Sequence, residues 1–212
     1  MGCLSKRAIQ RLAVLHTLSL WRKGAYGPVR VHKTLFFADK NSVDATWRLF
    51  TFKKWNLGQY SDEIASALND LQAARRVSTL FDGPSERIRA HVPASIRPRI
   101  AAFFANYFQE WSAALKPAFK EWAHLRNVDI INRAHQDATY TGANHGDTIF
   151  RSFSAKEVEF DGLDADVAEQ FSDLVDDRLH EGLLKRVAQA ADRPRKNEDW
   201  RRIYFGEETV CA

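Results

Sequence analysis

Apolar residues recur along the first part of the chain at intervals that suit helices. Between residues 4 and 22, Ile9, Leu12, Ala13, His16 and Leu20 share one face, so a helix is predicted there. Gly24 and the Gly27-Pro28 pair end it. A second, shorter helix fits Val29 to Asp39, with Val31, Leu35 and Ala38 on one side. The pattern then alternates. Residues 48–55 read as a short strand in which Phe50 and Phe52 point the same way. Ser61 is a good N-cap, and Asp62 and Glu63 suit the first turn of a third helix running to about Arg75. Ile64, Leu68 and Leu71 form its apolar stripe. Two strand-like segments follow, Val77–Phe81 and Arg87–Val92, joined by the turn-rich run Asp82-Gly83-Pro84-Ser85-Glu86.

Helix, helix, strand, helix and hairpin is the order of a winged helix: a three-helix core with a two-strand wing. The expected class is therefore mostly α (α+β), with a winged-helix-like core over residues 1–95 and a helical extension over residues 96–212. In the extension, Pro93 and Pro98 bracket the start of a dense aromatic stripe. It holds Ile100, Phe103, Phe104, Tyr107, Phe108, Trp111 and Leu115, and Phe119 and Trp122 continue it beyond Pro117, where a kink or break is expected. Core is the plain reading of such a stripe, and part of it is a candidate homodimer seam. Another short helix fits residues 124–135. Ala138 to Asp147 reads as a loop, Val158 and Phe160 as a short strand, and Asp164 to Ala191 as one long helix or two. Val167, Phe171, Leu174, Val175, Leu179 and Leu183 would face inward there.

Composition adds limits. Hydrophobic residues are 45% and aromatics 12% of the 212 residues, enough to fill a core. The only two cysteines, Cys3 and Cys211, stand near opposite ends, which is no disulfide framework. No apolar run has the length of a membrane span, and Lys6, Arg7, Gln10, Arg11 and His16 interrupt the N-terminal segment where a signal peptide would be unbroken. The cytoplasm is the expected compartment.

The net charge of +4 conceals an asymmetry. Residues 1–100 hold 17 Lys and Arg against 7 Asp and Glu, whereas residues 101–212 hold 14 against 20. Within the second half, an acidic stretch at 157–181, read as helical, precedes a basic tail at 185–202. Such polarity implies docking of one half on the other, partners of opposite charge, or solvated helix faces.

Two motifs resemble a known family. Lys33-Thr34-Leu35-Phe36-Phe37-Ala38-Asp39-Lys40 resembles the K-L-L-Y-F-A-D signature of SocA-like antitoxins, the Panacea domain. Gly58-Gln59-Tyr60-Ser61, following the aromatic strand and opening a helix, is similar to that family's Y-G-P-x-S turn, with Gln59 where proline is usual and Leu57 where an aromatic is usual. Asn144-His145-Gly146-Asp147-Thr148-Ile149-Phe150 is a fainter echo of its Thr-His element, which precedes a Trp. The resemblance spans about residues 29–80. It implies a non-catalytic protein that binds and restrains a partner protein, a toxin or a phage-defence effector, or presents it to a protease. The contact surface would lie around Lys33, Lys53, Lys54, Gln59, Tyr60, Arg75 and Arg76.

A winged helix also suits duplex DNA. Lys53, Lys54, Arg75, Arg76, Arg87 and Arg89 would then meet phosphates and Asn69 a base edge. The third helix argues the other way, because Asp62, Glu63 and Asp70 occupy it and no Lys or Arg does before its last turn. Seven histidines are present, without convincing zinc spacing. His135, Asp137, His145 and Asp147 are the nearest to a catalytic or metal set. Nucleophile-elbow and phosphate-loop motifs are missing, so neither catalysis nor a cofactor is expected.

Overall fold

The computed structural model describes residues 1–42, 45–82 and 85–175. Strand β1 (Gly2–Ser5) leads into α1 (Lys6–Ser19), whose N-terminus is capped by the Ser5 side chain accepting the Ala8 amide at 3.1 Å. The two-residue strand β2 (Ala25–Tyr26) precedes α2 (Gly27–Asn41), which carries Pro28 in its first turn where no amide partner is lost. A short 3-10 turn at Ala45–Trp47 leads to the hairpin β3 (Phe52–Trp55) and β4 (Gly58–Tyr60). Ser61 then caps α3 (Asp62–Ala73) through the Ile64 amide, as its sequence position implies. Arg75 takes a left-handed φ of 57° and turns the chain into a second hairpin, β5 (Val77–Asp82) and β6 (Ser85–Ala90).

The second half holds α4 (Arg97–Tyr107), α5 (Gln109–Trp122), α6 (Asn127–Gln136), the single turn α7 (Ala138–Thr141), β7 (Thr148–Phe150), β8 (Glu157–Phe160) and α8 (Ala165–Val175). The fold is thus mixed α and β, with its sheets small and antiparallel. No helix among the described residues is long and apolar enough to cross a membrane.

Several expectations are corrected. The first helix begins at Lys6, because Gly2–Ser5 pairs with β8. Leu4 stands opposite Val158, and both are buried. The break in the aromatic stripe falls at Phe108 (φ −133°, ψ 54°), while α5 runs through Pro117. Ala113 and Pro117 both lie on the exposed face of α5, so the carbonyl freed by proline can meet water. The acidic stretch is not one helix: residues 157–160 are strand β8, α8 begins only at Ala165, and the rest of the stretch lies outside the described residues. The basic tail 185–202 and Cys211 lie outside them too. Residues 138–147 contain α7, and the second half is not purely helical, since β7 pairs with β3 and β8 with β1.

The core draws on both halves. Ile9, Leu12, Leu35, Phe36, Phe52, Ile64, Leu71, Phe103, Phe104, Trp111 and Phe171 belong to a single hydrophobic cluster. The aromatic stripe therefore sits inside the molecule, and its buried members offer no homodimer seam. Helix α2 packs along α5, with Phe37 stacked on Trp122 at 4.6 Å. A buried ion pair fastens α1 to α3: the Arg11 guanidinium meets Asp70 at 2.8 Å and donates to the Val175 carbonyl at 2.7 Å. The core cluster, the Phe37–Trp122 stack and the Arg11–Val175 hydrogen bond all span the boundary expected at residue 95.

Candidate binding cleft

Helix α2 is buried on nearly every side, and Arg30, His32, Lys33, Thr34 and Asp39 go inside with it. Lys33 is 1% exposed. Its Nζ donates to the Gln59 carbonyl at 2.8 Å. Burial pulls the Lys33 ammonium down to about 7. His32, one residue earlier, is buried as well. Its Nδ1 accepts the Ser61 amide at 3.3 Å, which puts the proton of the neutral ring on Nε2. Burial, with Lys33 adding to it, holds His32 down at about 3. The ring stacks on Tyr60 at 4.7 Å.

These residues line a cleft of about 840 Å³ enclosed by α2, the β3–β4 hairpin, α3, β6 and α6. Val29, Leu68, Ile88 and Ile131 supply apolar wall, and Trp55, 46% exposed, stands at the rim. Gly58 makes room for the lysine. Its φ is +96°, and a β-carbon there would run into Lys33 Nζ. Gln59 is buried; its Nε2 donates to the Ala134 carbonyl at 3.2 Å, and its Oε1 has no donor. His135, from α6, donates from Nε2 to the Asn56 carbonyl at 3.1 Å and stacks on Tyr140 at 4.6 Å. Burial lowers its pKa, with Lys33 and Lys54 contributing in the same direction. Glu86 lines the cleft from β6, its carboxyl raised by burial.

The candidate contact residues are only partly gathered here. Lys33, Gln59, Tyr60 and Asn69 line the cleft. Lys33 and Gln59 are interior groups rather than surface ones, and each gives one hydrogen bond to holding β4 against α2 and α6. Lys53 is turned to Asp62 at 2.6 Å. Lys54 donates to the Ala143 carbonyl at 2.7 Å and lies over Tyr140. Arg75 is exposed beyond the end of α3, whereas Arg76 is tied to the Leu174 carbonyl at 3.1 Å. Arg87 covers the Tyr26 ring at 4.5 Å, and Arg89 is exposed on the hairpin. They do not form one continuous cationic face.

The His135, Asp137, His145 and Asp147 set is likewise dispersed among local partners. Asp137 pairs with Lys40 and accepts the Thr139 amide at 3.0 Å. His145 lies 4.7 Å from Trp55, and Asp147 accepts the Asn144 amide at 2.8 Å. No group of three metal-ligating side chains comes together among the described residues.

What sequence reasoning missed is the cleft. It needed His32 and Lys33 to be read as interior, and their positions next to Val31, Leu35 and Phe36 were the sequence's only hint of that. Comparison with family models, characterised proteins and solved structures finds no match to this chain.

Proposed function

We propose that this is a non-catalytic binding protein of the SocA-like antitoxin kind, working in the cytoplasm. It holds a partner protein, a toxin or defence effector, against the cleft and its rim. The observation that carries this reading is the apolar rim. Trp55 is 46% and Phe81 74% exposed, large values for such side chains. Register explains why they belong together. Phe81 stands opposite Glu86, and Thr79 opposite Ile88, so Phe81 shares the sheet face whose residues Glu86 and Ile88 line the cleft. Exposed aromatics flanking an apolar depression suit a protein interface.

A winged-helix core is part of the proposal. Its support is that β2, between the first two helices, pairs with β6, giving the sheet order β2-β6-β5 behind α3. The β3–β4 hairpin would be an insertion between the second and third helices of that core. Duplex DNA fits such a core less well here. Helix α3 contains no Lys or Arg, Asp62 lies exposed at its start, and Glu63 and Asp70 are spent on the Thr51 amide and the Arg7–Arg11 pair.

The test is co-expression with the product of the adjacent reading frame. That product alone should arrest growth, and this chain should relieve the arrest. Trp55→Asp with Phe81→Asp should abolish relief while leaving the melting temperature unchanged. A harmless neighbour would remove the antitoxin reading, and undiminished relief by the double variant would remove the rim.

A further inference from the structure

We propose that the floor of this cleft is a binding site for a small organic acid, one carboxylate on an apolar body, seated on Lys33. The inference does not rest on the partner-protein reading.

The geometry has three parts. First, Lys33 Nζ has three N–H donors and one acceptor, the Gln59 carbonyl at 2.8 Å. Among the described residues no carboxylate forms an ion pair with it. A buried ammonium without a counter-charge is costly, and an arriving carboxylate supplies both the charge and the acceptors. Second, Nζ reaches this wall only because Gly58 carries no β-carbon, which would run into it, so the amine's position is built into the hairpin. Third, Gln59 Oε1 is buried on the same wall without a donor. It would accept from a hydroxyl or N–H on the ligand body or from a bridging water. A cavity of about 840 Å³ with mainly apolar walls is the size and character of a small-molecule site.

One cation sets the class of ligand. A single lysine balances a monoanion, and the groups around it do not extend that charge. His32 is held neutral, and the Tyr60 phenol is pushed up by burial. His135 is pulled down, and Lys54 is turned to Tyr140. Glu86 lines the same cleft, where its carboxylate would repel a second negative group. A phosphate dianion is therefore the poorer fit, and the apolar walls disfavour a small hydrophilic acid.

Binding should draw a proton onto Lys33. Burial leaves the free amine near 7, so affinity should fall as pH rises above that value, by up to about tenfold per unit.

The experiment uses the full chain and three probes, 4-phenylbutyrate, octanoate and indole-3-acetate, each beside its neutral alcohol or amide. Amide NMR and calorimetry in two buffers of different ionisation enthalpy are the readouts. At least one acid should shift the Gly58 and Gln59 resonances and bind tenfold or more tighter than its neutral counterpart. It should take up close to one proton at about pH 8.5 and far less at about pH 5.5. Lys33→Met should lose that preference, with its fold checked by melting temperature, and Lys33→Arg should keep part of it. Peptides with free carboxyl ends should compete no better than their amidated forms. No binding by any probe at 10 mM, equal binding of acid and alcohol, or unchanged binding by Lys33→Met overturns the proposal. So does competition confined to the free-ended peptide, which would assign the site to a chain terminus.

Discussion

Asp39 Oδ2 accepts the backbone amide of Phe50 at 2.8 Å, inside the molecule, where Asp39 is 0% exposed. Its other oxygen takes the Leu49 amide at 3.2 Å. The last turn of α2 is thereby fastened to the aromatic segment that leads into β3. Burial pushes the carboxyl from 3.8 up to about 7, against the pull of both amides.

Asp39→Ala should therefore be strongly destabilising. It strands two buried amides, each worth roughly 1–3 kcal/mol. Asp39→Asn keeps one acceptor and should cost less. The pH dependence has a definite sign. The folded state holds the Asp39 proton more tightly than the unfolded state, so the contribution is full below about 4 and is lost as pH rises to about 7. The stability margin of wild type over Asp39→Asn should shrink across that window. Urea unfolding at pH 4, 5.5 and 7 checks it, and a margin that widens would contradict the assignment.

Lys33 should act in the next window, with the opposite slope. Its folded pKa lies near 7, below its ordinary 10.5, so folding releases a proton between those values. Stability should rise with pH from about 7 to about 10.5, and Lys33→Met should flatten that rise. Guanidinium midpoints at pH 7, 8.5 and 10 read the difference. Below neutrality Lys33→Met should match or exceed wild type, because it no longer buries a charged ammonium.

Arg11 and Arg7 share Asp70 but should behave differently. Arg11 is 3% exposed and reaches Asp70 at 2.8 Å, whereas Arg7 is 63% exposed. Arg7→Ala should cost less than about 1 kcal/mol, as surface pairs do. Asp70→Ala leaves the Arg11 guanidinium buried without its carboxylate and should cost about 3 kcal/mol. Chemical denaturation of the two variants gives the contrast, and equal losses would mean that Arg11 gains nothing from Asp70.

The same residues show what could be read before the structure. Ile64, Leu68 and Leu71 were legible as a buried stripe because an isolated amphipathic helix has one apolar side. Ser61 was legible as a cap, and the β5–β6 hairpin from its turn residues. Strands β1, β4 and β7 were not. Each spans three or four residues, and β1 and β7 pair with segments some hundred or more positions away, which leaves no local period. Lys33 was misplaced for a related reason. A lysine within a helix suggests the solvent side, and only the packing of α5, α6, β4 and β6 around α2 contradicts that. The cleft is built from five separate elements, so no stretch of sequence announced it.

Gly58 offers the sharpest test of how the hairpin and α2 were fitted together. Gly58→Ala carries two penalties that can be separated. The φ of +96° is a strain for any residue with a β-carbon, worth about 1–2 kcal/mol by analogy with left-handed backbone. The second is collision: the added carbon meets Lys33 Nζ, with Lys33 Cε at 3.0 Å and Ala134 Cβ at 3.1 Å. A lysine tip can swing away only by giving up the Gln59 carbonyl, and the cleft then receives an unsatisfied amine. On a Lys33→Ala background that part of the cost disappears, and only strain and the Ala134 contact remain. The double-mutant cycle should show Gly58→Ala costing at least about 1 kcal/mol less without the lysine than with it. Additive losses, measured by denaturant titration of the four proteins, would mean that Gly58 is needed for its backbone alone and that the space beside Lys33 is incidental.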